Sequence, residues 1–248
     1  LPQLSKTHQT YGFDSKNDLV ATGVKTDGRT LSAQLSYYGK PLGELVLNVL
    51  GRHNLLNAMA AVGIGLSLEI PFETINAGLA QFRHVRRRFD ERYYDANRGI
   101  RVIDDYGHHP TEVKAVLQTA RDTRAKRVVT VFQPHRYSRT QLCWREFLSC
   151  FEETDILLMV PVYSAGEDPI EGVSTTALLR EIKKLYPSKN EACIELASLD
   201  AAQDWIVKNK QDGDLIITLG AGSITKLAAQ LADKLATKAD DSKVEAYK

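Results

Sequence analysis

The chain has 248 residues, 43% hydrophobic and 25% charged, with 16 Gly and 8 Pro, a globular make-up with room for two compact units. Its 32 Lys and Arg against 31 Asp and Glu leave a formal net charge of +1, so no global field argues for a nucleic-acid or membrane surface. No apolar run has the length of a membrane span, no signal peptide opens the chain, and the three cysteines (Cys143, Cys150, Cys193) lack metal-type spacing, which fits buried thiols in a reduced, cytoplasmic setting.

The chain starts at Leu1 without Met and goes directly into what reads as mid-domain sequence, as expected of part of a longer protein. Residues 19–26 and 29–38 read as two strands joined at Asp27-Gly28, a pair that accepts positive φ in a two-residue hairpin turn. Leu31, Ala33, Leu35 and Tyr37 alternate with polar residues, the period of a sheet with one wet face. Residues 44–50 give a third strand. Leu55, Ala58, Met59, Val62 and Leu66 then recur at helical spacing up to Pro71, and a second helix over 72–82 turns Ile75, Leu79 and Phe82 inward. A short strand at 91–94 precedes Asp95-Ala96-Asn97-Arg98-Gly99, the best linker candidate, which divides the chain into domains 1–97 and 98–248.

Beyond residue 98 strands and helices alternate strictly. Apolar strand cores at 102–103, 128–132, 156–162, 193–196 and 215–219 are separated by helices at 111–124, 140–151, 174–185, 200–209 and 223–235. Ser174 suits an N-cap, and Asp200 with Gln203 a capping box. Continuous rather than alternating apolar strands predict an α/β fold, a parallel sheet covered by helices on both faces. The charged tail from Lys238 is expected to fray.

In such a sheet ligands bind outside the carboxyl ends of the strands. Four polar motifs fall there: Asp104 to Glu112, Gln133 to Thr140, Val162 to Glu167, and Gly220-Ala221-Gly222-Ser223. Arg136 and Arg139, three apart at a helix entry, suit planar bidentate pairing with a carboxylate or phosphate, the alternative being an exposed loop pair. His108 and His109 suit acid–base chemistry or metal ligation; adjacent side chains point apart, so at most one of them faces the site, and without a third ligand no metal is expected. Gly220 to Ser223 is either an anion cradle or a tight turn with Ser223 as cap. Between Arg83 and Arg101 there are seven Arg against three acids. The Arg86-Arg87-Arg88 run within it either neutralises phosphates or is a solvated charge run. His53-Asn54 at a helix start either reads a base or caps the helix. No G-x-x-x-x-G-K-[ST] occurs, and Gly63-Ile64-Gly65 lies in a helical pattern without the rest of a dinucleotide fingerprint.

Asp104-Asp105-Tyr106-Gly107-His108-His109-Pro110-Thr111-Glu112 and Gln133-Pro134-His135-Arg136-Tyr137-Ser138-Arg139-Thr140 together resemble the Mur ligase family, in particular its members that join L-alanine to UDP-N-acetylmuramate. Gly51 to Ala58, Arg87-Arg88-Phe89, Val162 to Glu167 and Leu219 to Ile224 match in the same order. The resemblance implies the latter part of the central ATPase domain (1–97) and a Rossmann-like amino-acid-binding domain (98–248), closing about the linker. It implies ATP-driven amide formation through an acyl phosphate, with ATP and Mg²⁺ required, the ion's ligands expected mostly outside this chain, and no activity for the chain alone. By position in the motifs, it assigns Arg136 and Arg139 to the amino-acid carboxylate and His108 to orienting the amine or accepting its proton. Tyr106 and His135 would shape the side-chain pocket. His53, Asn54, Arg87, Arg88 and Asp105 would serve ATP. The alternatives are a related Mur or folylpolyglutamate-type ligase with another amino acid, or a non-catalytic nucleotide-binding module.

Overall fold

The computed structural model describes residues 8–82 and 85–245, with side chains to residue 237, and falls into two compact units, 1–84 and 85–248. The first is a four-stranded sheet in the order β1-β2-β3-β4, formed by β1 (Tyr11–Gly12), β2 (Leu19–Thr26), β3 (Leu31–Tyr37) and β4 (Lys40–Leu47). β1 lies parallel to β2 and the other pairs are antiparallel. As the alternation predicts, one face is buried: Leu19, Ala21, Leu31, Ala33, Leu35, Leu45 and Leu47 pack on Leu55, Met59, Val62 and Phe72 of α1 (Arg52–Ser67) and α2 (Phe72–Gln81).

Several local expectations shift. The β2–β3 connection is a four-residue turn, with Asp27 Oδ1 accepting the Arg29 and Thr30 N–H groups at 2.8 and 2.7 Å. A tighter hairpin lies at Tyr38-Gly39, both at positive φ (46° and 75°), so β4 starts at Lys40 rather than 44. Helix α1 starts at Arg52, so Asn54 is not its N-cap; its Nδ2 donates to the Leu50 carbonyl at 2.7 Å. Phe82 is exposed, just beyond the last turn of α2.

The second unit carries a six-stranded sheet, β5-β6-β10-β7-β8-β9, comprising β5 (Asp90–Asp95), β6 (Ile100–Asp105), β7 (Arg127–Phe132), β8 (Ile156–Met159), β9 (Cys193–Glu195) and β10 (Asp214–Leu219). All pairs are parallel except β5 with β6. Residues 95–99 therefore turn a hairpin inside this unit, and the chain divides at His84/Val85 rather than near residue 97. A run of Asp, Asn and Gly has the same composition in a linker and in a turn, which is why the sequence misplaced the boundary.

Helices α7 (Leu199–Asn209) and α8 (Thr225–Glu245) cover one face, where Ile100, Val102, Val129, Val131 and Ile216 meet Ala202, Ile206, Leu227 and Leu231. Alternation along β6 turns Ile103 to the other face, that of α3 (Pro110–Asp122), α5 (Trp144–Ser149) and α6 (Thr175–Leu185). There Phe132 packs against Phe147 and Phe151 at 5.5 and 5.1 Å between ring centroids.

The single helix expected over 140–151 is two, α4 (Tyr137–Leu142) and α5, broken at Cys143. All three cysteines are buried free thiols. Ser174 caps α6 as expected, whereas α7 is capped by Ser198, whose Oγ accepts from Ala201 N at 3.1 Å, not by an Asp200–Gln203 box. α8 continues into the charged tail as far as Glu245 instead of ending at 235; residues 246–248 and the side chains beyond 237 lie outside the described residues. Among the described residues no helix is long and apolar enough to cross a membrane.

Candidate active site

Sheet order fixes where a ligand is received. The crossover from β6 through α3 returns to β7 with one place left between them, and β10 fills it, so the loops after β6, β10 and β7 stand side by side. This reversal of strand order at the carboxyl end of the sheet opens the crevice in which α/β domains bind ligands. Leu219 pairs with both Asp105 and Phe132, bringing the polar motifs that follow all three strands to one rim.

The base of the rim is buried and hydrogen-bonded. Asp104 is 1% exposed and accepts from Thr218 Oγ1 at 3.0 Å and Thr225 Oγ1 at 2.6 Å. Asp105 is equally buried; its Oδ2 accepts from Phe89 N and its Oδ1 from Gly107 N, both at 2.7 Å. Burial pushes the Asp105 carboxyl up to about 6, although both backbone N–H groups and Arg88 favour its ionised form. Asp105 thus faces inward as a brace between segment 87–89 and the Tyr106–His108 turn. Gly220, at φ 151°, brings its backbone so close to Gln133 that a Cβ would stand 2.8 Å from the Gln133 carbonyl oxygen. The Gln133 Oε1 takes the Ile224 N–H at 3.1 Å, and the Ser223 hydroxyl engages that same amide. Gly220 to Ser223 is a tight turn secured by Gln133.

The two adjacent histidines point apart. His109 caps α3, its Nδ1 accepting from Thr111 N at 3.3 Å, while Glu112 returns a carboxylate oxygen to His109 N at 3.2 Å and His108 N at 3.1 Å. His108 faces the rim. Its Nδ1 lies 2.9 Å from the Tyr106 carbonyl, an acceptor only, and 3.5 Å from Glu112 Oε2, so Nδ1 carries a proton and, in the neutral ring, Nε2 is the acceptor. Its ring meets Tyr106 edge-on at 5.0 Å and His135 at 5.9 Å. Arg139 Nη1 donates to His135 Nδ1 at 3.1 Å, which leaves the His135 proton on Nε2. Burial, with Arg139, His108 and Arg136 nearby, holds His135 below the ordinary imidazole range.

The arginine run diverges. Arg83 lies outside the described residues and Arg86 is exposed. Arg87 turns inward: Nη2 donates to the Gly220 carbonyl at 2.6 Å, Nε stands 3.7 Å from Asp104 Oδ2, and the guanidinium lies over the Tyr106 ring at 4.7 Å. Arg88 stays half exposed, 3.7 Å from Glu112 and 5.9 Å from the Tyr106 ring centroid. His53 and Asn54 belong to the first turn of α1 in the other unit.

Tyr106, His108, His135, Arg136 and Arg139 are therefore brought together on one rim, with Arg88 at its edge. Residue spacing assigned no role to Glu112, which gathers the His108–His109 turn; the signal was an acid three residues after an N-cap position, obscured because histidine is an uncommon cap. It also gave none to Tyr163, whose ring stacks on His135 at 5.5 Å and 16°.

Fold and rim define an open, mostly parallel α/β domain with its polar motifs gathered at the point where strand order reverses. The family described as "Mur ligase, glutamate ligase domain" matches residues 87–222, and the chain belongs to the Mur ligase family. It is 42% identical over 242 residues to a UDP-N-acetylmuramate–L-alanine ligase of Geotalea daltonii, covering 95% of this chain and 50% of that protein. Against the ligase of the same name from Trichlorobacter lovleyi the identity is 41%, over 95% of this chain and 51% of the relative. A crystal structure of the UDP-N-acetylmuramate–alanine ligase of Thermotoga maritima superposes with a TM-score of 0.78 at 26% identity, covering 93% of this chain and 48% of that one. The chain spans about half the length of the curated relatives it matches.

Proposed function

We propose that this chain supplies the amino-acid-binding domain, and part of the ATPase domain, of a cytoplasmic ligase that joins L-alanine to UDP-N-acetylmuramate in peptidoglycan precursor synthesis. The observation that carries the reading is the meeting of His108 and His135 across β10, flanked by Arg136 and Arg139, in a chain 42% identical to a ligase of that name. In the proposed reaction the γ-phosphoryl group of ATP passes to the muramoyl carboxylate, releasing ADP. The alanine amine attacks the acyl phosphate, and collapse of the tetrahedral intermediate expels phosphate and leaves the amide. Arg136 and Arg139 hold the alanine carboxylate by charge-assisted bonds. The acceptor Nε2 of the neutral His108 ring orients the amine and takes its proton, a role that its Nδ1–H bond to Tyr106 makes available. Tyr106 and His135 bound a pocket for a small side chain, the latter as a neutral ring.

We assign His53 and Asn54 to adenine and Arg88 to the nucleotide's ribose or phosphates. Arg87 and Asp105 serve that site by bracing, since both are engaged by the rim itself. Mg²⁺ would supply charge neutralisation at the phosphates, but the described residues do not fit it. No three His, Cys, Asp or Glu among them converge, and every oxygen of Asp104 and Asp105 is already taken by a protein donor.

Phosphate release by the full-length protein tests this reading. It should require ATP, UDP-N-acetylmuramate and L-alanine together; turnover with another amino acid and none with alanine contradicts it.

A further inference from the structure

The turn after β8, Tyr163-Ser164-Ala165-Gly166-Glu167, grips the segment that carries both arginines. Pairing between β7 and β8 continues past the sheet: Tyr163 N donates to the Pro134 carbonyl and Arg136 N to the Tyr163 carbonyl, each at 2.8 Å. Arg136 at φ 72° is in a region that non-glycine residues rarely adopt, so its conformation is held by its surroundings. The chain then doubles back at Ala165 and Gly166, both at positive φ (52° and 86°), and the turn closes with Glu167 N on the Ser164 carbonyl at 3.1 Å. This return delivers the Glu167 carboxylate to the start of α4. One oxygen accepts from Ser138 N at 3.0 Å; the other accepts from Ser138 Oγ at 2.6 Å and stands 3.6 Å from Arg136 Nη1. On the far side Gly222 makes room: a Cβ there would lie 2.6 Å from Tyr163 Cγ.

We propose that Glu167 is a positioning residue of the amino-acid site. Through Ser138 it fixes the first turn of α4, and through Arg136 it holds that guanidinium at the rim where the ligand carboxylate is received. The inference rests on the reading proposed above and goes beyond it by adding a residue that does not itself touch the substrate. Two features favour positioning over mere stability. The carboxylate reaches across from a separate loop, and its partners are the arginine assigned to the ligand and the serine two residues further on.

The test is steady-state kinetics of the full-length protein with Glu167→Gln and, separately, Ser138→Ala. Either variant should raise the KM for L-alanine about tenfold, the effect of losing roughly 1.4 kcal/mol of binding, with the KM for ATP and for UDP-N-acetylmuramate within twofold. The double variant should be little worse than Glu167→Gln, because the Ser138 hydroxyl acts through the Glu167 carboxylate. Glu167→Asp, a methylene shorter, should fall between wild type and Glu167→Gln. An unchanged alanine KM, a rise shared by all three substrates, or a loss confined to kcat overturns the positioning role. If the wild-type protein shows no alanine-dependent phosphate release, the functional reading itself fails; if it does and the variants behave like wild type, only this inference fails.

Discussion

Arg139 and His135 face one another over the first turn of α4: the guanidinium Nη1 donates to the imidazole Nδ1 at 3.1 Å and to the His135 carbonyl at 3.2 Å. A protonated His135 would place a second positive charge against the first, so the pair keeps the ring neutral and its Nε2–H directed away from Arg139. Arg139→Ala should therefore raise the His135 pKa towards its ordinary value, only in part because burial, the larger cause, remains. Histidine NMR titration measures this. Because the folded-state value is depressed, His135 contributes stability above the ordinary imidazole pKa and loses it as pH falls through the folded value.

Asp105 has the opposite sign. Its carboxyl is raised from 3.8 to about 6 in the folded protein, so the native state binds the proton more tightly than the unfolded chain. Its contribution is fully present below about pH 4 and is lost as pH rises through about 6. Tm measured between pH 4 and 7 should show a component that declines across this window. Asp105→Asn should abolish that component. It should also cost about 1–3 kcal/mol, because an amide accepts from only one of the Phe89 and Gly107 N–H groups.

At the opposite end of the sheet Arg127 makes a two-pronged pair with Asp214, each bond 2.8 Å, and the carboxylate is 1% exposed. Arg127→Ala strands a buried charge and should cost about 3–5 kcal/mol in chemical denaturation. The double replacement with apolar residues should recover part of that loss.

Gly220→Ala should destabilise by about 1–3 kcal/mol, since a side chain there meets both an unfavourable backbone conformation and the Gln133 carbonyl. A thermal melt indistinguishable from wild type would contradict the tight packing of the three loops.

Much of the second unit was legible because buried parallel strands are continuous apolar runs and their helices carry periodic apolar faces, as 128–132 and 111–124 do. Placement of the polar motifs after strand ends located the rim for the same reason. What escaped was non-local. Nothing near residue 214 says that β10 inserts between β6 and β7, although that insertion brings His108 to His135. The segment 140–151 keeps helical periodicity across Cys143, so the break between α4 and α5 is invisible to spacing. Arg87 and Arg88 are alike in sequence, yet one turns inward to Gly220 and the other outward to Glu112, on a backbone that takes positive φ at Arg87 and Phe89 (61° and 49°). Glu167 could not be assigned a role without the turn that folds it back onto Ser138.

The rim after β6, β10 and β7 is proposed to receive the amino acid through its carboxylate. The most direct measurement is the KM of the full-length Arg136→Ala variant for each substrate. Loss of a charge-assisted contact worth about 1.5–3 kcal/mol should raise the KM for L-alanine roughly 10- to 100-fold, while the KM for ATP and for UDP-N-acetylmuramate stays within about twofold of wild type, as the loss of a contact made to alanine alone requires. A KM for alanine that does not move, or one that rises equally with that for ATP, would contradict it.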